Sequence, residues 1–287
     1  MIRQSLLPCF TYCKNCFQTL WQENIYEKKT QFYCDLCQQI IKWNHNTLLK
    51  RSQISFSQLE KLIHLYIDRN SVQSSFEFLC STYVNDGLTK KTIRHYFLLF
   101  HKITQIYYHQ SLESYLLEGE LELDESQLFK KKKSSASHRP YSLSKIWVFG
   151  IIKRGTNQFV IIPISCKTEA TLHKLILKYA KLGSTLYSDC CSCYVNNMSF
   201  PKKSKLTEYG YIHFFINHKL AFRSSTFEHI HTNSIESLWK KLKQNIRRMK
   251  MLSEYEFAVS RFFFHENLTK EQQILFLAKE LKKENIS

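Results

Sequence analysis

Residues 119–126 read GELELDES, in which leucines alternate with acidic residues up to Asp124. Alternation of this kind predicts a β-strand that ends near Asp124. Two further acidic segments follow: STLYSD, which ends at Asp189, and HTNSIESLWKKLK, which places Glu236 near the start of a helix. Three carboxylates presented by two strands and a helix can hold two divalent cations, because hard cations such as Mg²⁺ prefer oxygen ligands. The sequence therefore predicts a metal-dependent site suited to phosphodiester chemistry.

The segments between these carboxylates have the pattern of an α/β domain. IWVFGIIKR and QFVIIPIS read as strands joined by a turn at Gly155-Thr156-Asn157, and TEATLHKLILKYAKLG follows as a helix that stops at Gly183. The predicted order is βββαβ, followed by a helix. Ribonuclease H-like nucleotidyl-transferases have this order, and in them the carboxylates of the first and fourth strands become neighbours. Asp124 and Asp189 occupy those two places.

Two CxxC pairs lie near the start of the chain. CKNC and CDLC are separated by 17 residues, a spacing that suits one tetrahedral Cys₄ zinc site, here Cys13, Cys16, Cys34 and Cys37. Cys9 lies four residues before the first pair and is an alternative ligand. Unliganded buried cysteines are the simpler alternative. We expect a zinc ribbon over residues 1–45.

Residues 46–115 have helical periodicity and predict a three-helix, helix-turn-helix-like module. Ser71 and Thr89 stand where N-caps would begin the second and third helices, with Gly87 at the turn between them. A DNA-contacting recognition helix would then begin with four basic residues: Lys90, Lys91, Arg94 and His95. A small helical packing module with a solvated charged face is the alternative.

Composition indicates the class of partner. The 287 residues contain 41 Lys and Arg against 24 Asp and Glu, a formal charge of +17. This excess favours a polyanion such as nucleic acid, with a membrane surface as the competing interpretation. No apolar stretch approaches the roughly 20 residues that span a bilayer, and no signal-like core follows Met1. We therefore expect a soluble, intracellular protein that does not enter a membrane.

Five segments of the chain carry a family resemblance: LELDES, KIWVFGIIKRG, LYSDCCSCY, GYIHFFINHKLAF and HTNSIESLWKKLK. They resemble the Merlin-type DDE transposases and their bacterial insertion-sequence relatives with an ISXO2-like transposase domain. The most specific part is His231-Thr232-Asn233 followed by Ile235-Glu236 and Trp239. The resemblance covers roughly residues 118–250. Two departures are a longer interval between Asp189 and Glu236, with an insertion near PKKSKLTEYG, and the run Lys130–Lys133.

The resemblance implies a role for each matching residue. Asp124 and Asp189 would be the first two ligands of a pair of Mg²⁺ or Mn²⁺ ions, and Glu236 the third. Asn233 is the alternative third ligand, because three residues of helix place it on nearly the same face as Glu236. His231 is the first choice among the nearby histidines for orienting phosphate or donating a proton.

The resemblance further implies a transposase that cleaves DNA and transfers strands. Its partners would be double-stranded DNA, as terminal inverted repeats and target, and a second copy of the chain or a larger assembly. Residues 116–252 would form the ribonuclease H-like catalytic domain and residues 253–287 a C-terminal helical segment. We expect nuclear residence, or access to the nucleoid if the source is bacterial. The alternatives are a domesticated DNA-binding protein without catalysis and a host enzyme for programmed DNA excision.

Overall fold

The structure is a computed structural model that describes residues 10–21, 25–26, 31–42, 44, 47–49, 54–82, 87–129, 146–196, 198, 201–216, 231–246 and 252–283. The alternative zinc ligand Cys9, the lysine run 130–133 and the end of the segment GYIHFFINHKLAF from Asn217 onward lie outside these residues. The chain divides into two compact units: residues 1–104 with 268–287, and residues 105–267.

In chain order the strands are β1 (Phe10–Tyr12), β2 (Thr19–Trp21), β3 (Ile25–Tyr26), β4 (Gln31–Tyr33), β5 (Ile40–Lys42), β6 (Glu120–Phe129), β7 (Ile146–Lys153), β8 (Phe159–Ile164), β9 (Thr185–Asp189), β10 (Val195–Asn196), β11 (Lys203–Ser204) and β12 (Ile212–Ile216). The α-helices are α1 (Phe56–Ile67), α2 (Val72–Thr82), α3 (Lys90–Ser114), α4 (Glu169–Tyr179), α5 (Asn233–Asn245), α6 (Leu252–Asn267) and α7 (Lys270–Leu281). A 3₁₀ turn covers Leu206–Tyr209.

In the first unit, two small antiparallel sheets present the CxxC turns. β1 pairs with β2, and β3, β4 and β5 form the second sheet. The residues after the two CxxC pairs, Phe17 and Gln38, both have positive φ, at 58° and 60°. Their N–H groups donate to the carbonyls of Cys13 and Cys34 at 3.0 and 2.8 Å. The two turns therefore have the same backbone geometry although their sequences differ.

The helices of the first unit begin where the sequence predicts. Ser71 Oγ accepts from the N–H of Ser74 at 3.0 Å, and Thr89 Oγ1 accepts from that of Thr92 at 3.2 Å, so both predicted N-caps are confirmed. Gly87 lies before α3 with φ +71°, a conformation that favours glycine. Within the described residues, no helix is long and apolar enough to cross a membrane.

The second unit is built on a mixed five-stranded sheet with the order β12-β9-β6-β7-β8. β7 runs antiparallel to both β6 and β8, whereas β9 runs parallel to β6 and to β12. The predicted succession βββαβ followed by a helix is present as β6, β7, β8, α4, β9 and, further along the chain, α5. β6 is thus the central strand of the sheet and has neighbours on both sides.

Apolar side chains cover both faces of this sheet. Leu121, Leu123, Phe149, Ile151 and Ile161 are fully buried. α5 packs on β6 and β7, α6 packs on β8, and α4 contacts β7. α4 ends at Tyr179, before the predicted stop at Gly183, because Ala180 is extended and bridges to Leu117. The packing of α5 on β6 brings the segment around Glu236 against the strand that carries Asp124.

Candidate active site and cysteine metal site

The four cysteines of the two CxxC turns meet at one point. Their sulfur atoms lie within 4.8 Å of one another, with Cys13–Cys37 at 3.2 Å, Cys16–Cys34 at 3.5 Å and Cys16–Cys37 at 3.7 Å. With Zn–S bonds of about 2.3 Å, sulfurs at the corners of a tetrahedron lie about 3.8 Å apart. The cluster therefore fits a structural zinc ion, as the spacing predicts.

The electrostatics of the cluster also suit a cation. The backbone N–H groups of Cys16 and Asn15 lower the pKa of Cys13 to about 6. The neighbouring Cys13 sulfur in turn raises the pKa of Cys37 to about 12. One thiolate thus forms readily, whereas further ionisation is opposed by like charge. A bound divalent cation removes that opposition.

The carboxylates of the second unit come together through strand register. β6 and β9 are paired in parallel up to Glu122 and Tyr187, and Asp124 and Asp189 each lie two residues further along. Because side chains alternate along a strand, both aspartates point to the same face as Glu122. The Asp189 charge acts on the Asp124 carboxyl and helps to raise its pKa.

Asp124 accepts a hydrogen bond from a side chain of α5, the helix that packs on its strand. The indole Nε1–H of Trp239 donates to Asp124 Oδ2 at 2.8 Å. Gly150, the residue opposite Asp124 on β7, makes room for this indole: a Cβ there would lie 2.5 Å from Trp239 Cη2. A glycine in the middle of a strand often marks such a close approach. Trp239 therefore contacts a predicted metal ligand.

Burial, more than any neighbouring charge, raises the pKa of Asp124 to about 6; the Trp239 hydrogen bond and the Lys167 charge act in the opposite direction. Two carboxyl groups in this setting repel each other when both are ionised. A divalent cation relieves the repulsion, so the arrangement fits one. Among the described residues, however, only the four cysteines form a group of three or more possible ligands within 4.8 Å.

Glu236 faces the same cavity as Asp124. The lining residues are Asp124, Ser126, Glu236, Trp239, Lys240, Lys243 and Gln244. α5 places Glu236, Lys240 and Lys243 on one side, because residues three and four apart share a helix face. A carboxylate pair bordered by two lysines can accept a metal-bound phosphate group. The cavity is open to solvent.

The residues at the start of α5 have distinct positions. Asn233 is its first residue and is exposed. Thr232 precedes it, and its hydroxyl donates to Glu236 Oε1 at 3.2 Å. His231 has a side chain that is 42% exposed, with Nδ1 3.5 Å from Glu122 Oε1. The structure thus places His231 beside Glu122, whereas Asn233 and Glu236 follow on the helix.

No motif in the sequence marks Glu122, yet among the described carboxylates near the site it accepts the most hydrogen bonds. Its Oε1 accepts from Arg154 Nε at 3.0 Å and from Ser234 Oγ at 3.1 Å, and its Oε2 accepts from the N–H of Ile235 at 2.9 Å. The only signal in the sequence is its position two residues before Asp124, on the same face of an alternating strand.

Glu125 serves the opposite face of β6. It is buried. Its Oε1 accepts a hydrogen bond from the Tyr194 hydroxyl, and its Oε2 forms an ion pair with Lys167 Nζ at 2.7 Å. Burial raises the pKa of Glu125 to about 7, and Lys167 counteracts this rise. Tyr194 lies shortly after Asp189, and Lys167 lies between β8 and α4. Glu125 therefore ties both loops to the strand of Asp124 and is directed away from the Asp124 face.

Comparison with known protein families identifies this region. Residues 116–254 match the ISXO2-like transposase domain. The match confirms the resemblance found in the sequence and supports a DDE transposase of the insertion-sequence type. It includes Asp124, Asp189 and Glu236 together with the residues that hold them. A search of curated proteins gave no match to the chain.

Proposed function

We propose that this protein is a DDE transposase, which cleaves DNA at the ends of its element and joins the freed 3′ ends to target DNA. The observation that carries the proposal is the placement of Asp124 and Asp189 on adjacent parallel strands, with Glu236 on the cavity that Asp124 lines. All three lie within the matched transposase domain.

The sheet supports a ribonuclease H-like catalytic domain. Its order β12-β9-β6-β7-β8 has the first strand of the domain at the centre and the fourth strand beside it. The second strand, β7, runs in the opposite direction to the other four. This is the juxtaposition that the βββαβ succession predicts for such domains. This order puts the strands of Asp124 and Asp189, which lie 65 residues apart in the chain (189 − 124), next to each other.

Asp124, Asp189 and Glu236 would hold two Mg²⁺ or Mn²⁺ ions, which when bound activate the attacking hydroxyl and stabilise the leaving oxygen. The chain supplies the ligands and their alignment. Lys240 and Lys243 add positive charge on the same cavity, where a phosphate would lie. In the proposed reaction, water attacks first and the freed 3′-hydroxyl attacks the target afterwards.

The first unit is the proposed reader of transposon ends. Lys90, Lys91, Arg94 and His95 are exposed at the start of α3, whereas Tyr96, Phe97 and Phe100 are buried. A helix with a basic exposed N-terminal face and an apolar buried face can enter the major groove. We propose that the zinc ribbon assists this contact and that two copies act together on paired ends.

Metal-dependent strand cleavage tests the proposal. The substrate is a duplex with the sequence that flanks the gene, and Mg²⁺ or Mn²⁺ is added to wild type, Asp189→Ala and Glu236→Ala. We expect cleavage by the wild type and a loss of at least about 100-fold in each variant, with DNA binding retained, because only the metal ligands are removed.

Glu208 provides the matched control, since it is an exposed carboxylate on the 3₁₀ turn of the same domain. Glu208→Ala should cleave as the wild type does. A wild-type protein that binds the flanking DNA but never cuts it with either metal would reject the enzyme and favour a domesticated DNA-binding protein.

A further inference from the structure

The start of α5 lacks the cap that its own sequence offers. Thr232 is the N-cap residue, but its side chain makes no capping hydrogen bond, and its hydroxyl donates to Glu236 Oε1 instead. The first N–H groups of a helix need acceptors, and a threonine N-cap ordinarily supplies one. Here the residue suited to that task contacts the predicted third metal ligand.

Glu122 takes over the missing cap from the neighbouring strand. Its Oε2 accepts from the N–H of Ile235 at 2.9 Å, and its Oε1 accepts from Ser234 Oγ at 3.1 Å. A carboxylate at this end of a helix is also favoured by the helix dipole. Ile235 directly precedes Glu236, and Glu122 lies two residues before Asp124. This contact therefore joins the strand of one metal ligand to the helix of another.

The positive charge of Arg154 offsets the free-energy cost of burying the Glu122 carboxylate. Glu122 is fully buried, and Arg154 Nε pairs with its Oε1 at 3.0 Å. A second guanidinium nitrogen of Arg154 donates to the carbonyl of His231, and its planar group lies 3.5 Å from the centre of the Tyr187 ring. Arg154 thus contacts three segments: β6, β9 and the residue before the cap of α5. A planar, permanently charged group with several donors suits such a junction.

These bonds distinguish Glu122 from a metal ligand. An ionised carboxylate has about four acceptor positions, and Glu122 uses three of them for Arg154, Ser234 and Ile235. Its two oxygens are directed at the helix start. Asp124, on the same face, instead borders the open cavity.

We propose that Glu122 and Arg154 are positioning residues that fix the helix of Glu236 relative to the strand of Asp124, and so set the separation of these two metal ligands. This inference rests on the proposed function. It assigns Glu122 to alignment and not to the chemistry, and it explains why a strand with one ligand carries a second buried acid on the same face.

Manganese binding tests this role without any turnover. Free Mn²⁺ is measured by electron paramagnetic resonance while the zinc-loaded full chain is titrated, for wild type, Glu122→Gln and Arg154→Lys. Glu122→Gln keeps the shape but loses the charge. We expect its apparent affinity for Mn²⁺ to fall by about 10- to 100-fold, the usual effect of removing a group that orients metal ligands. Arg154→Lys, which keeps the charge but not the fork, should fall less.

Two controls separate alignment from general damage. Ile176→Val removes one methyl from a fully buried side chain of α4 and so weakens the packing of the core. It should lower the melting temperature yet leave Mn²⁺ affinity unchanged. Glu118→Gln alters a more exposed acid just before the same strand and should change neither.

The outcomes separate this inference from the proposed function. If Asp124→Asn abolishes Mn²⁺ binding while Glu122→Gln binds as tightly as wild type, the positioning role is wrong and the metal site stands. If wild type takes up no Mn²⁺, both fail. Equal losses of affinity in Ile176→Val and Glu122→Gln would reduce Glu122 to an ordinary stabilising residue.

Discussion

The cysteine cluster and the carboxylate site are both predicted metal centres, but they are built in opposite ways. The four cysteines lie within 25 residues of one another (13 to 37), and their sulfurs converge within 4.8 Å. The three carboxylates span residues 124–236. Their arrangement depends on the register of β6 and β9, on the packing of α5 against Gly150, and on the cap that Glu122 supplies to α5. The first centre is defined by local spacing, whereas the second is defined by long-range packing.

The largest expected effect concerns the local centre. Cys34→Ser, or chelation of zinc, should abolish the fold of residues 10–42, because so small a region with a core of few side chains depends on its metal. Amide hydrogen exchange would show that residues 10–42 lose protection, whereas β6–β9 keep theirs. Cys80→Ser, a change at an exposed free cysteine, is the control and should bind zinc normally. Protection retained without zinc would contradict the comparison.

The next effect concerns the long-range centre. Gly150→Ala places a methyl 2.5 Å from Trp239 Cη2, and overpacking of this kind usually costs about 1–3 kcal/mol. It should also weaken Mn²⁺ binding although no ligand is changed, because Trp239 holds Asp124. Trp239→Phe removes the clashing atoms, so the double variant should lose less stability than the sum of the two single variants in a denaturation series. Additive losses would show that the indole does not meet the new methyl.

A smaller effect concerns His213, which lies on β12 beside the strand of Asp189. Its Nε2 and Nδ1 contact Ser188 Oγ at 2.9 Å and Ser204 Oγ at 2.7 Å. Burial lowers the pKa of His213 from 6.5 to about 4. The unfolded chain therefore binds more protons between these values, so this residue's contribution is present above pH 6.5 and is lost as pH falls towards 4.

We expect the loss through His213 to be on the order of 3 kcal/mol. The raised pKa values of Asp124 and Glu125 act in the opposite sense, so the test is a difference: stability against pH for wild type minus His213→Asn. The difference should shrink as pH falls through this window. A difference that does not change with pH would mean that folding leaves the pKa of His213 at its ordinary value.

The smallest expected effect concerns a surface ion pair of the second unit. Glu118 and Lys181 form an ion pair at 2.5 Å, with both side chains 58% exposed. Such surface pairs contribute little, because solvent screens them and ordering two long side chains costs entropy. Lys181→Met should leave the melting temperature and Mn²⁺ binding unchanged within error. A clear loss in either measurement would mean that surface charge, and not only packing, maintains this centre.

The same contrast explains what the sequence could and could not predict. The cysteine cluster followed from spacing alone, and the strands that carry Asp124 and Asp189 followed from alternation, turns and order. The predicted end near Asp124 was wrong, because β6 continues to Phe129 in its pairing with β7. Glu122, Arg154 and the role of Trp239 did not, because their partners are far away in the chain: Glu122 meets Ser234 and Ile235, more than 100 residues later. Gly150 was visible as a glycine inside a strand, but its meaning required knowledge of which indole lies over it.

The cap that β6 supplies to α5 has a consequence for how this gene can change length. Because the start of α5 is bonded to Glu122, the chain between Asp189 and Glu236 does not have to set their separation, and codons can be gained or lost there at little cost in loop closure. The longer interval in this chain fits that freedom. One codon gained between Glu122 and Asp124 would instead turn the carboxylate to the other face of the sheet. Natural variation in length should therefore be common between Asp189 and Glu236 and rare between Glu122 and Asp124.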